Sequence, residues 1–289
     1  MSSMSPESSI TAETAQDSYS PPMQQRQAGQ STMQIEKVPW SQLGPNFAAN
    51  WGRADPSDPQ PEDMEILGMK GSGKTYFLMT ILQERMLVRN TREILFVTKQ
   101  SDKVFTKLGW PIVREFEQLK KHRQVVYWPM TNKLGEDRDA FLEQRVYQLL
   151  SSLWKKDAHV VLAFDEIAYA EELSSRVKKL IRMYWREGRS MEITLVAMKQ
   201  RPQGVQRDMH SETPWKVAFA PADRNDLERF AELFGDKKTW MPVFDSMDAN
   251  NHEFLIRHTK TGEAYISWID VPLQPIEPPS EQQKVFKWH

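Results

Sequence analysis

The sequence predicts an α/β protein with a mostly parallel central sheet flanked by helices and a hairpin near its C-terminus. Three observations carry this expectation. From Met64 onward, short apolar runs of strand length alternate with longer stretches of helical periodicity, the signature of successive β-α units. One strand-to-helix turn, Gly68–Thr75, is rich in glycine. Two late apolar runs flank Lys260-Thr-Gly-Glu263, a turn sequence suited to a hairpin.

Residues 1–36 are rich in Ser, Gln, Met, Thr and Pro and show no periodicity, which predicts a disordered tail. Residues 37–63 form an N-terminal arm, in which Val38–Pro61 reads as extended chain that docks Trp40, Phe47 and Trp51. That arm either caps the core or grips a neighbouring subunit. The main domain runs over residues 64–271. Its elements in order are a strand Met64–Leu67, a helix Thr75–Arg89, and strands Ile94–Thr98 and Val125–Trp128. A helix over about Asp137–Trp154, a strand His159–Phe164, a helix Leu173–Trp185 and strands Ile193–Met198 and Lys216–Phe219 follow. Asp223–Phe234 is an amphipathic helix, and Glu253–Arg257 with Ala264–Ile269 makes the hairpin. Residues 272–289 carry four prolines and read as an extended C-terminal arm.

At 289 residues with 39% hydrophobic side chains, the chain can build one large core. The formal net charge of -1 gives no global basic field, so any nucleic-acid surface is local or assembled from several subunits. The absence of cysteine excludes disulfides, thiolate catalysis and cysteine-bound zinc. No apolar run approaches the roughly eighteen residues of a membrane span, and the polar N-terminus lacks a signal-peptide core. A cytoplasmic location follows as the expectation.

The eight residues Gly68 to Thr75 match G-x-x-x-x-G-K-[ST], set between a strand and a helix. Gly68, Gly71 and Gly73 let backbone amides, with Ser72, converge on phosphate oxygens at a helix N-terminus. Lys74 would reach the β- and γ-phosphates of ATP, and the Thr75 hydroxyl would bind Mg²⁺. A ligand-free glycine turn is the plainer reading, but it has no use for Lys74 followed by Thr75. Asp165 and Glu166 end the buried run His159–Phe164, at the carboxyl edge where open α/β sheets bind ligands. Asp165 would hold the Mg²⁺ shell and Glu166 would polarise the attacking water, which favours hydrolysis over kinase chemistry. Taken alone, the pair also fits a helix cap followed by a first-turn acid. After the strand Glu192–Met198 comes Lys199-Gln200-Arg201-Pro202, with Gln200 as the candidate γ-phosphate sensor. Arg186 and Arg189 precede that strand. Each could stabilise transition-state charge in a neighbour's site, or simply complement a helix C-terminus closed by Gly188.

In their order, the phosphate loop, acidic strand, Gly-Arg turn and Gln200-Arg201-Pro202 resemble the FtsK/HerA superfamily of ring-forming, DNA-pumping ATPases, over about Met64 to Phe219. The likeness is greatest to compact members, including packaging ATPases of tailless, membrane-containing icosahedral phages, and to related mobile-element pumps. The resemblance implies a P-loop NTPase of the RecA-like, additional-strand catalytic-glutamate type, using ATP and Mg²⁺ as a homo-oligomeric, hexameric ring. It also ranks Arg189 ahead of Arg186 as the arginine given in trans. Lys70 and Lys199 depart from the pattern. Lys70 is either a phosphate ligand or a solvated side chain, and Lys199 alters the sensor if its ammonium enters the site. The chain also lacks the membrane segments and winged-helix module of chromosome pumps.

Translocation needs sequence-blind phosphate contacts, for which Arg201 and Arg207 are the candidates. Lys120–Arg123 is a second basic run, and usually such a run is a solvated face. Met241–Met247, with Trp240 and Phe244, reads as a docking surface or, more commonly, as core. About seventy residues follow Phe219, too few for the nuclease domain of a tailed-phage terminase. The function expected is ATP-driven translocation of double-stranded DNA, with packaging of a viral or mobile-element genome as the favoured role. Its partners would be DNA, copies of itself and a portal, capsid or membrane-complex protein, at a virion vertex in the host cytoplasm. The alternatives are a conjugative DNA pump and an ATPase that drives protein assembly or export.

Overall fold

In the computed structural model, which describes residues 35–52, 62–88, 91–102, 104–105, 109–200, 213–221 and 223–273, the β-α alternation closes into one sheet. The first half contains α1 (Trp40–Gly52), β1 (Met64–Leu67), α2 (Lys74–Val88), β2 (Arg92–Phe96), β3 (Ile112–Val113), a 3-10 turn (Phe116–Lys121), β4 (Gln124–Tyr127) and α3 (Gly135–Leu153). The second contains β5 (Val160–Phe164), α4 (Ile167–Glu172), α5 (Ser175–Glu187), a 3-10 turn (Gly188–Met191), β6 (Ile193–Lys199), β7 (Trp215–Phe219), α6 (Arg224–Phe234), α7 (Lys237–Asp245), β8 (Phe254–His258) and β9 (Ala264–Ser267). Among the described residues the sheet has nine strands in the order β3-β4-β2-β5-β6-β1-β7-β8-β9.

The strands from β3 to β7 run parallel, and only β8 and β9 run against their neighbours. This is the mostly parallel sheet with a terminal hairpin that the alternation predicts. Parallel strands must be covered on both faces, and β1, β2, β4, β5, β6 and β7 are buried throughout. Alternate residues of one strand therefore enter different cores. Val196 and Met198 of β6 join Phe77, Ile81 and Leu82 of α2, whereas Ile193, Leu195 and Ala197 join Leu149 of α3 and Ile181 of α5. A third cluster seats α6 and α7 through Phe230, Phe234, Trp240 and Phe244 against Leu67, Ala218 and Leu255. Of the stretch Met241–Met247, Val243 and Phe244 are core, Met241 and Met247 pack partly buried against it, and Pro242, Asp245 and Ser246 are exposed; the stretch belongs largely to α7, capped by Asp236 through Thr239 N at 3.1 Å.

Where the sequence suggests extended chain over Val38–Pro61, residues 40–52 are helical. Trp40, Phe47 and Trp51 recur at helical spacing and are at most 4% exposed, packed against Phe77, Phe254 and Trp215. Each such aromatic contributes roughly 1.5–3 kcal/mol when taken from water, which outweighs Gly44 and Pro45 inside the helix. Indole nitrogens find partners at Glu84 Oε1 and the Glu62 carbonyl, both at 2.9 Å. The helix therefore caps the core of its own chain. Its first turn is held by Asp270, which accepts from Ser41 N at 2.7 Å and Ser41 Oγ at 2.6 Å.

β2 begins two residues earlier than the apolar run suggests. Its first residues, Arg92 and Glu93, are charged yet buried, because Arg92 donates to the Leu119 carbonyl and Glu93 accepts from Gln124 at 2.7 Å. Hydropathy cannot see partners that arrive from other elements.

Candidate active site

β1 ends against the phosphate loop, and β6 beside it and β5 beyond β6 end at the same carboxyl edge of the sheet. The loop packs tightly onto β7. A Cβ at Gly68 would lie 2.7 Å from Ser72 Oγ and 2.9 Å from Phe219 Cβ, so no side chain fits there. Gly73 has φ +102°, a conformation that L side chains rarely adopt, and a Cβ would meet Phe219 at 3.2 Å. Gly71 also has positive φ, and its surroundings are open. α2 starts at Lys74 with its first amides directed towards the loop.

Lys74 is 8% exposed and donates to the carbonyls of Gly68 at 2.5 Å and Met69 at 2.7 Å. Burial draws its pKa down to about 8, partly opposed by Glu166 and Asp165 and reinforced by Lys99. An ammonium so poorly solvated gains strongly from anionic oxygens. Ser72 Oγ is buried with no hydrogen-bond partner among the described residues. Lys70 is exposed on the loop's outer side, as expected of a solvated lysine.

Asp165 follows β5 with its side chain fully buried, and Glu166 opens α4. Glu166 occupies the cap position without a side-chain capping bond, so its carboxylate is not spent on the helix. Instead Gln200, just past β6, hydrogen-bonds it, and its Oε2 is buried without a partner among the described residues. Burial raises the Glu166 pKa, and the neighbouring Asp165 raises it further, while Gln200, Lys74 and Lys99 oppose the rise. Asp165 is also raised by burial, against Lys99. One buried carboxylate at the same sheet edge as the Thr75 hydroxyl fits Mg²⁺, which typically takes one or two carboxylates together with substrate phosphates. The unpartnered Ser72 Oγ and Glu166 Oε2 mark the same space as polar.

Lys199 does not enter this space. Its ammonium meets Glu65 Oε1 at 3.0 Å, both side chains being at most 5% exposed.

The fold thus gathers Gly68, Gly71, Ser72, Gly73, Lys74, Thr75, Asp165, Glu166 and Gln200 at one edge. Arg186 and Arg189 lie elsewhere. Arg189 sits in the 3-10 turn before β6, near Asp63, whose Oδ1 accepts from Leu195 N at 2.6 Å before β1 begins. That is the opposite edge of the sheet, about 20 Å from the loop by the length of β6. Arg186 is exposed at the end of α5. Lys120 and Lys121 are likewise exposed, on the turn that leads into β4. Arg201 and Arg207 lie outside the described residues.

Sequence reasoning missed Lys99. It follows β2 by three residues and places its ammonium 3.0 Å from Asp165 Oδ1 and 2.9 Å from Oδ2, with Asp102 at 3.3 Å. The available signal was a polar residue immediately past a buried strand at the carboxyl edge of a parallel sheet.

Several solved structures share this fold. The genome packaging NTPase B204 from Sulfolobus turreted icosahedral virus 2 in complex with AMPPCP is 18% identical, with a TM-score of 0.54 over 73% of this chain and 98% of that one. The DNA-packaging ATPase B204 from Sulfolobus Turreted Icosahedral Virus is also 18% identical, at a TM-score of 0.53 over 75% of this chain and 98% of that one. The cytoplasmic domain of the Thermomonospora curvata Type VII secretion ATPase EccC is 13% identical, at 0.55, over 81% of this chain and 30% of that one. No curated protein matches. The model of the Poxvirus A32 protein family matches residues 58–263, a stretch that takes in the phosphate loop, the acidic pair, Gln200 and the first seven strands and β8, and the chain belongs to that family.

Proposed function

We propose that this chain is an ATP-hydrolysing motor that drives double-stranded DNA into a viral capsid. The observation that carries the chemistry is the meeting of three strand ends: the phosphate loop, the Asp165–Glu166 pair, and Gln200 hydrogen-bonded to a Glu166 carboxylate that caps nothing. The loop amides and Lys74 hold the phosphates of ATP. Thr75 and Asp165 would hold a Mg²⁺ ion, which when bound would screen phosphate charge. Glu166 accepts a proton from the water that attacks the γ-phosphate, the bond to the β-phosphate breaks, and ADP leaves. Gln200 fixes the Glu166 carboxylate and reports the state of the γ-phosphate to the chain beyond β6.

The catalytic arginine comes from a neighbouring copy, since Arg186 and Arg189 lie on the edge away from their own phosphate loop. A head-to-tail contact that sets one chain's amino edge on the next chain's carboxyl edge closes into a ring, with six copies the arrangement favoured. Arg201 and Arg207 are the candidate contacts to DNA phosphates. Family membership and the fold shared with viral packaging NTPases support the packaging role, exercised in the host cytoplasm against a portal or vertex protein. The EccC likeness leaves protein handling as the second reading.

The test is the steady-state ATPase rate with and without long double-stranded DNA, at low and moderate salt, with Lys74→Ala as the blank. Salt-sensitive, sequence-independent stimulation is expected. A rate indifferent to DNA, in a preparation sized as an assembled ring, moves protein handling ahead of packaging.

A further inference from the structure

Lys99 is an ammonium set directly against the carboxylate assigned to Mg²⁺. Its position is built rather than incidental. The backbone at the end of β2 is pinned by Trp128 Nε1, which donates to the Lys99 carbonyl at 2.5 Å, and by Arg138 Nη2, which donates to the Thr98 carbonyl at 2.7 Å. From there the side chain reaches across 66 residues of sequence to Asp165, with its second acceptor, Asp102, on the solvent side. Asp102 is itself held by accepting from Val104 N at 2.8 Å. The charged groups facing Lys99 are therefore Asp165, Asp102, Glu166 and Lys74. Two carboxylates flank one ammonium, and only one of them faces the phosphate loop.

We propose that Lys99 is a resident counter-cation: it neutralises Asp165 until Mg²⁺ arrives with nucleotide, and then moves fully onto Asp102. The inference rests on the Mg-ATP reading of the site. A buried carboxylate left alone is costly, and Lys99 offsets that cost at Asp165 between catalytic cycles. A divalent ion that takes Asp165 repels the ammonium, and Asp102 gives it a destination within reach. Mg²⁺ then binds by exchange, and Lys99 lowers the advantage that Mg²⁺ confers on nucleotide binding. It also carries nucleotide occupancy into the 98–102 segment, whose Thr98, Lys99 and Gln100 form part of the wall of a cavity of about 260 Å³ with Pro129, Met130 and Leu134.

The quantity to measure is the ratio of the dissociation constants of a fluorescent ADP analogue without and with saturating Mg²⁺, on the full chain, at equilibrium and without turnover. Lys99→Met should raise this ratio at least about threefold, because Mg²⁺ no longer competes with a tethered cation and Mg-free nucleotide loses a positive neighbour. Lys99→Arg should keep it near the wild-type value. Asp102→Asn, which removes the alternative partner but retains an acceptor for Val104 N, should lower it. A structural ion pair alone would not move the two variants in opposite directions. Unchanged ratios in Lys99→Met and Asp102→Asn, with nucleotide binding intact, overturn this inference and leave the Mg-ATP reading standing. A wild-type chain that binds no nucleotide overturns both.

Discussion

Glu166 combines burial, a like-charged neighbour and a single hydrogen bond from Gln200, and these fix what its substitution should do. Replacing it with Gln keeps shape but removes the base, so ATP turnover should fall by about 10²–10⁴ while nucleotide affinity holds. Rapid hydrolysis by that variant would remove Glu166 from the mechanism. The pH dependence has a definite sign. Burial and Asp165 raise the carboxyl pKa, so on acidification the base is lost at a higher pH than an ordinary glutamate would be, near 4.3. The Gln200 bond favours the charged form, and Gln200→Ala should move the acid limb of the pH–rate profile further upward. A limb that stays in place would show that Glu166 does not titrate there. Lys74, Asp165 and Glu166 were legible in the sequence because each belongs to a short local pattern at a strand end. Lys99 was not, because its partner is distant in sequence and becomes adjacent only when β2 pairs with β5.

At the scale of elements, the late hairpin is tied back to the start of β1. His258 Nε2, at the end of β8, lies 2.7 Å and Lys260 Nζ, on the turn to β9, 2.9 Å from the two oxygens of Glu62. Desolvation works to raise the Glu62 pKa, but the bonds to His258 and Lys260 win and pull it to about 2. Because the folded pKa is depressed below its ordinary value of 4.5, the contribution to stability is present above pH 4.5 and lost as pH falls through 2. Solvent reaches this group, so Glu62→Gln should cost only about 0.5–1 kcal/mol at neutral pH. The difference in Tm between variant and wild type should narrow as pH falls from 4.5 towards 2, and a constant gap would assign the effect to something other than charge. α1 is worth more. Trp40 is fully buried between Phe47, Phe77 and Phe254, and Trp40→Ala should cost about 3–5 kcal/mol in a denaturant titration of the isolated chain. A loss confined to assembled rings would make the helix a gripping element instead. The helix was misread because proline, glycine and asparagine between the aromatics suggest loop, and the aromatic packing that overrides them is tertiary.

Across the molecule, the two edges of the sheet carry different halves of one proposed site. The phosphate loop, Asp165 and Glu166 occupy the carboxyl edge, and Arg189 the amino edge. Mixing inactive Arg189→Ala chains with inactive Glu166→Gln chains should restore part of the ATPase rate, because an Arg189→Ala chain keeps its own Glu166 and borrows its neighbour's arginine. No recovery at any mixing ratio would return Arg189 to a structural role beside Asp63, and the same experiment with Arg186→Ala decides between the two.

The sequence by itself determined the α/β class, the phosphate loop, the acidic pair and the hairpin, because each is written in residues a few positions apart and needs only a strand or a turn to act. Tertiary structure alone decided where the remaining charges point. Lys199 is neutralised by Glu65 from the neighbouring β1, and Lys99 is brought to Asp165 from β2. The segments at the two ends of the domain meet as well: Val38 and Glu36 bond to Ile266, and Tyr76, two residues into α2, accepts from Leu273 N at 2.9 Å. A buried charge is tolerated only beside its partner, and which residue becomes that partner is fixed by strand order, a property of the whole sheet that no local window of sequence contains.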